Sequence, residues 1–306
     1  MATTPNINNF QFFDGKLPEE EYARMLCYGH TGAGKTTFGA TMPGPRAVLA
    51  VDANAVPPLR VPFSQLARTF IPPGETDREP EIMLKAANWD QIQAAAEFLL
   101  REVPKRGIVS VIIDSLTSIF DKVYQETLED RGEQYIQNQV RSGAKQTRSL
   151  ETLDENGWGI LGTRMGTLRH ILNQIPAHLL YLAHCKPPQV KTEQKGGSTQ
   201  RTVTEQGTVD ISGRSSRLFL RDVGAVLYLE RRDTTTGTIV RVRTRPNGEY
   251  YAKDNTGRLD TVEPPDAVVI LARMGVLAPT LADKALAAAP KRTAEDRQNE
   301  ELGVLD

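Results

Sequence analysis

Cysteine is scarce in this sequence. Its 306 residues hold two, Cys27 and Cys185, each inside a stretch that reads as a buried strand. That excludes a disulfide scaffold and fits a reducing compartment. No apolar run reaches the roughly 18 residues that a membrane-spanning helix requires, so no membrane span is expected. Residues 1–13 lack a basic stretch followed by an apolar one and do not read as a secretory signal. The cytoplasm is therefore the expected location. No internal repeat is visible, and a formal net charge of -1 does not announce a nucleic-acid binder. What remains is an ordinary globular balance, 39% hydrophobic and 25% charged, in a chain long enough for one large core or one domain with a small appendage.

Strand-like and helix-like stretches alternate along the chain. Residues 22–28 form a short apolar run that reads as a strand, and 36–41 open a helix after a glycine-rich turn. Residues 46–52 and 108–114 read as buried strands, and 177–185 as another. Ile92, Ala95, Ala96, Leu99 and Leu100 recur at helical spacing within 90–101. Helices are expected over about 117–140 and 160–174. Residues 56–88, rich in proline and charge, read as irregular. Residues 187–212 hold Gly, Ser, Thr, Gln and Lys with few large apolar side chains and read as a mobile loop. Residues 223–231 and 238–245 alternate like strands around Thr234, Thr235, Thr236 and Gly237, a hairpin pattern. The fold class is α/β: a mostly parallel sheet with helices on both faces and an antiparallel hairpin added at one edge. An arm over 1–20, a core over 21–265 and a C-terminal helix and acidic tail over 266–306 complete the expected organisation.

The run Gly29-His30-Thr31-Gly32-Ala33-Gly34-Lys35-Thr36 lies after a predicted strand and before a predicted helix. That is the setting of a phosphate-binding loop. Glycines let the backbone wrap closely around phosphate oxygens with its N–H groups pointing inward. Lys35, as an exposed loop lysine, is expected to reach the β- and γ-phosphates of ATP. The Thr36 hydroxyl is expected to bind Mg2+, Thr37 completes the nucleotide-contacting set, and the helix adds the positive end of its dipole. Asp114 ends an apolar strand. A carboxylate there faces the crevice of an open α/β sheet and suits the Mg2+ shell, with Ser115 beside it. His184 ends the next strand and has two readings of equal weight, a γ-phosphate sensor or a satisfied strand-end histidine.

Several segments taken in order resemble one family. These are the glycine loop, Ile112-Ile113-Asp114-Ser115-Leu116-Thr117, Gly157-Trp158-Gly159, Leu182-Ala183-His184-Cys185-Lys186, Asp210-Ile211-Ser212-Gly213 and 251–259. Together they look like the bacteriophage AAA-domain ATPases with a RecA-like core, a set that includes phage single-strand annealing proteins of the Sak group. The resemblance covers about residues 20–265. It implies a RecA-like P-loop NTPase core that binds ATP and Mg2+, binds single-stranded DNA and forms a homo-oligomeric ring or filament. It also makes a single-strand DNA-binding protein a candidate partner. His184 would couple the γ-phosphate to a DNA-binding loop, and 187–217 would occupy that loop's position, with Lys191, Lys195, Arg201, Arg214 and Arg217 as its cations. Lys253 and Arg258 resemble basic residues that reach a neighbouring subunit's nucleotide.

One position departs from the pattern. RecA-like ATPases carry a catalytic glutamate just after the second strand, and this sequence has Asn54 there, which cannot take a proton. Asp52 lies on the same strand face two residues earlier and is the candidate substitute. Slow hydrolysis is therefore expected. Charge favours a DNA contact: residues 186–258 hold fourteen Lys and Arg against eight Asp and Glu, a surplus of six, which leaves -7 for the remainder. Phe10, Phe12 and Phe13 in the arm are expected to pack on their own domain, with docking on a neighbouring subunit as the alternative. The acidic tail over 295–306 could shield the DNA site or recruit a partner. A phage-type recombination ATPase that binds and anneals single strands is the first reading. A helicase- or packaging-type motor and a nucleotide-gated assembly protein without a DNA role are its rivals.

Overall fold

The computed structural model describes residues 22–51, 82–142, 150–195, 198–234 and 237–289, without side chains for 193–201 and 234. The aromatic arm with Phe10, Phe12 and Phe13, the positions Asp52 and Asn54, and the acidic tail lie outside the described residues.

Parallel strands buried on both faces need near-continuous apolar runs, and the core strands have them. β1 (Arg24–Gly29), β2 (Arg46–Ala50) and β4 (Ser110–Asp114) are buried along almost their whole length, as is most of β5 (His178–Lys186). β3 (Ile82–Lys85) and β9 (Ala225–Thr234) flank them. The order β9-β1-β5-β4-β2-β3 is parallel throughout. β10 (Gly237–Arg243) then pairs antiparallel with β9, and β12 (Val262–Glu263) with β10. β11 (Lys253–Asp254) joins the start of β9. This is an α/β fold, a mostly parallel sheet with the antiparallel hairpin at one edge.

Helices cover both faces. On one, α2 (Trp89–Glu102), α3 (Leu116–Arg141), α4 (Glu155–Asn173) and α5 (Gly213–Asp222) pack through Ile92, Ile119, Leu168 and Phe219 onto Leu26, Ile113 and Tyr181. On the other, α1 (Lys35–Gly39) and α6 (Ala267–Met274) bring Phe38, Ile270 and Leu271 against Met25, Ile112 and Leu182. α7 (Pro279–Ala288) rests on α6. Caps fix where the helices start: Asn88, Asp154 and Asp266 each accept a backbone N–H from the first turn of α2, α4 and α6.

The expected irregular loop over 187–212 is corrected. β6 (Gln189–Lys195) and β7 (Ser198–Glu205) form a separate two-stranded antiparallel sheet. β8 (Thr208–Val209) then returns to the end of β5. β-branched Val190, Thr192, Thr202, Val203 and Thr204 suit strands. Large apolar residues are absent because this ribbon stands off the core rather than packing into it. Arg214 and Arg217, expected on the loop, lie on α5. Both cysteines are buried and free.

His178 starts β5, where its Nδ1 accepts the Ala23 N–H at 3.1 Å. That bond requires a neutral ring. Burial, and then the charge of Arg24, push its pKa from 6.5 down to about 4. A depressed histidine pKa gives stability that is full above the unfolded value and lost as pH falls toward the folded one. We expect urea unfolding to show His178 costing about 2 kcal/mol between pH 7 and pH 5. His178→Gln, which keeps an acceptor but does not titrate, should remove that part of the pH slope. An unchanged slope in the variant would contradict this assignment.

Candidate functional site

The site lies at the C-terminal edge of the parallel strands. Gly29 ends β1 directly beside β9. A Cβ there would come 2.7 Å from the Leu229 carbonyl oxygen, so only glycine permits this approach. The loop then turns through Gly34, whose φ of 96° is left-handed, into α1. α1 spans five residues, Lys35–Gly39, where a helix was expected to open over 36–41, and it closes on Ala40. Lys35 differs from expectation. It is 8% exposed, and its Nζ donates to the carbonyls of Gly29 and His30, both at 2.9 Å. The loop curls around the ammonium because three donors on a nearly buried cation need acceptors.

Asp114 stands where its sequence position places it, at the end of β4 and almost fully buried. The Thr36 Oγ1 donates to its Oδ2 at 2.7 Å. Ser115 follows and caps α3 by accepting the Ser118 N–H. In register, Asp114 pairs with Leu182 and Gly29 with His184, so β5 carries His184 to the same edge. The His184 N–H donates to the Thr117 Oγ1 at 2.9 Å, fastening β5 to the start of α3. The sequence beyond β5 is rooted there too: the Asp210 N–H donates to the His184 carbonyl at 2.8 Å, and Cys185 and Lys186 pair with Val209 and Thr208.

Glycine loop, lysine, threonine hydroxyl and strand-end carboxylate thus converge in one crevice. A family model described as an AAA domain matches residues 21–256. The chain belongs to the AAA-domain family. No curated protein matches it. The matched span runs from the residue before the described part of the chain to just past β11, and leaves β12, α6 and α7 beyond the AAA domain. AAA domains are nucleotide-binding ATPase modules, which agrees with the loop and Asp114.

The residues of this AAA domain fit a metal-nucleotide group. A hydroxyl and a carboxylate 2.7 Å apart can share a hard cation, which keeps several waters and takes phosphate oxygens as well. Among the described residues no cluster of three or more His, Cys, Asp or Glu is placed to hold a metal ion. Phosphate and water oxygens would therefore complete the shell. Among the same residues no helix is long and apolar enough to cross a membrane.

Other expected site residues scatter. Lys191 is exposed on β6, and Arg214 and Arg217 are exposed on α5. Lys195 and Arg201 lie on β6 and β7, with side chains outside the description, and Asp52 lies outside the described residues altogether. Lys253 and Arg258 sit at the opposite end of the sheet from the loop. Lys253 pairs with Val226 near the start of β9, and its Nζ donates to the Leu220 carbonyl at 2.8 Å. Arg258 donates to the Met274 carbonyl at 3.0 Å and lines a cavity of about 550 Å³ with Arg24 and Gly224. Neither contributes to the phosphate site of its own chain.

Two neighbours of the loop were not legible beforehand. Arg231 on β9 donates to the Gly32 carbonyl at 3.0 Å. The Tyr250 hydroxyl lies 3.2 Å from His30 Nε2, and its ring stacks on Tyr228 at 4.0 Å. The β9–β1 pairing brings Arg231 to the loop, and the bridge from Gly207 with the stack on Tyr228 brings Tyr250; neither has a local sequence signal. On the same strand Glu230 accepts from Arg232, Arg241 and Arg243 at 2.7–3.2 Å. Burial alone would raise its pKa, but Arg243, Arg232 and Arg241 together hold it below the ordinary value.

Lys35→Ala should cut affinity for a fluorescent ATP analogue at least about tenfold, the loss of a charge-assisted phosphate contact. A cooperative thermal melt should persist. Wild-type affinity in the folded variant would contradict the assignment of the loop.

Proposed function

We propose that this AAA domain is a RecA-like ATPase of phage-type DNA recombination, which binds ATP with Mg2+ and uses it to control binding and annealing of single-stranded DNA. One observation carries the reading. The 187–210 segment leaves β5 directly as its continuation, and its far end is fastened back to the last three residues of that strand, through the Asp210–His184 bond and the Val209 and Thr208 pairs. The same strand end lies in register beside Gly29 of the phosphate loop. A small shift of His184 on nucleotide binding would therefore move the root of the ribbon.

The chemistry assigned to the chain's residues is binding and positioning. Loop N–H groups and Lys35 would hold the phosphates, and Thr36 and Asp114 would orient the hydrated cation, whose charge offsets that building on the phosphoryl oxygens. Asn54 in place of a glutamate supports slow turnover, because an amide cannot accept the proton of an attacking water. That favours a binding and annealing role over a helicase- or packaging-type motor, which needs rapid hydrolysis. The ribbon with Lys191, Lys195 and Arg201, together with Arg214 and Arg217 on α5, offers cations for a phosphate backbone. Association into a ring or filament would line these up along a strand.

Retention on single-stranded DNA tests the reading. Binding should depend on ATP and Mg2+ and fall steeply as salt rises, through counterion release. Replacing Lys191, Lys195, Arg214 and Arg217 with Ala should weaken it and flatten the salt slope, with ATP binding and stability nearly unchanged. Undiminished binding by this variant would move the DNA site to another surface. No binding by the wild type would remove the DNA role and favour a nucleotide-gated assembly protein.

A further inference from the structure

The phosphate loop has a second cation at its rim, on the side away from Asp114. β1 lies between β9 and β5 in the sheet, so Arg231 on β9 approaches the loop from the flank opposite His184. Its Nη1 donates to the Gly32 carbonyl at 3.0 Å. Its Nε and Nη2 lie 3.5 and 3.4 Å from Asp233 Oδ1. Gly32 precedes Gly34 by two residues, within the stretch whose backbone N–H groups cradle the outer phosphates of a nucleotide.

The present partners of Arg231 are weak ones. Gly32 offers a neutral carbonyl. Asp233 is a carboxylate whose side chain is 73% exposed, at a distance where a solvated pair contributes little. The neighbouring guanidiniums differ: Arg232, Arg241 and Arg243 all converge on the largely buried Glu230. Arg231 is 46% exposed in its side chain, so it can change rotamer without breaking the core. A phosphate bearing more than one negative charge is a much stronger acceptor for a planar fork of N–H donors than that carbonyl.

We propose that Arg231 is a phosphate-sensing arginine acting in its own subunit: it leaves the Gly32 carbonyl to contact the terminal phosphate of bound ATP, and so makes the site prefer a nucleoside triphosphate over a diphosphate. The proposal rests on the ATP-binding reading of the loop. It supplies within one chain the cation that Lys253 and Arg258 do not, since those side chains are held at the far end of the sheet. A purely structural role is the competing account, in which Arg231 only ties β9 to the loop.

Two substitutions separate these. Arg231→Ala removes charge and donors, whereas Arg231→Gln keeps a donor for the Gly32 carbonyl without the charge. Fluorescent ATP and ADP analogues would be titrated, with Mg2+, into wild type, both variants and Lys35→Ala, each checked by thermal melting. The expected result is a loss of about tenfold or more in ATP affinity in both Arg231 variants, with ADP affinity within about twofold of wild type. Arg231→Lys should recover part of the loss. Wild-type ATP preference in Arg231→Gln would overturn the proposal in favour of the structural tie. So would an equal loss of ATP and ADP affinity, which marks a disturbed loop. If the wild type binds neither nucleotide, the ATP site itself is refuted and the proposal with it, an outcome distinct from both.

Discussion

The hydrogen bond from Thr36 to Asp114 joins the first turn of α1, which follows β1, to the end of β4, 78 residues on in sequence, and β1 and β4 are not neighbours in the sheet. β5 lies between β1 and β4, so the bond crosses over the end of β5 and closes the crevice around it. Its length depends on register. Slipping β4 by one residue against β5 would carry Asp114 to the opposite face of the sheet and leave a charged carboxylate among the side chains that α3 buries. Val111 and Ile113 are buried in the core on one face of the sheet and Ile112 in the core on the other, and this packing holds that register. Packing of an ordinary hydrophobic core thus determines where a carboxylate and a hydroxyl meet.

The same edge carries the connection from nucleotide to ribbon. His184 is held from both sides, by Thr117 through its N–H and by Asp210 through its carbonyl. Thr117 lies two residues after Ser115, which caps α3, and Ser115 follows Asp114. The chain of contacts therefore runs from Thr36 to Asp114, along the backbone to Thr117, across to His184 and out into β6 and β8. Each link is a backbone or short side-chain hydrogen bond, which leaves little slack. On the other flank the stacked Tyr228 and Tyr250 and the Arg231 contact brace the loop against β9. The phosphate loop is thereby held between a strand that carries the ribbon and a strand that carries the cation.

The parts legible in the sequence are those with local causes. Gly29 through Thr36 declare the loop because each residue serves a short-range geometric need. Asp114 is visible because a charge that ends a fully apolar run must lie at the strand's edge. β1, β2, β4 and β5 show as continuous apolar runs, and the structure shifts their ends by one or two residues. The β6–β7 ribbon was hidden because a strand pair with no fully buried side chain among its described residues has no apolar alternation to display. One C-terminal helix was expected over 266–306, and the separate helix α6 at the start of that range was hidden for the opposite reason. Its run Ala-Val-Val-Ile-Leu-Ala, buried all round, has no polar face to set a helical period, and only Asp266 at its start and Gly275 at its end, with φ 78°, mark the helix. Lys35 looked exposed because its bonds are to its own loop's carbonyls. Arg231 and Tyr250 could not be placed, since both reach the loop through long-range contacts: β9 pairing with β1 brings Arg231, 199 residues from Gly32, and the bridge to Gly207 with the stack on Tyr228 brings Tyr250.

The central claim is that Thr36 and Asp114 form the cation-orienting half of a metal-nucleotide site. Calorimetric titration of ATP with and without Mg2+, on the wild type and on Asp114→Asn, tests it most directly. Asparagine can still accept the Thr36 hydrogen bond, so the geometry is kept while the charge is removed. The account predicts that Mg2+ tightens ATP binding at least about tenfold in the wild type, that this gain disappears in Asp114→Asn, and that metal-free ATP binds both proteins alike. An equal Mg2+ effect in the two proteins would contradict it.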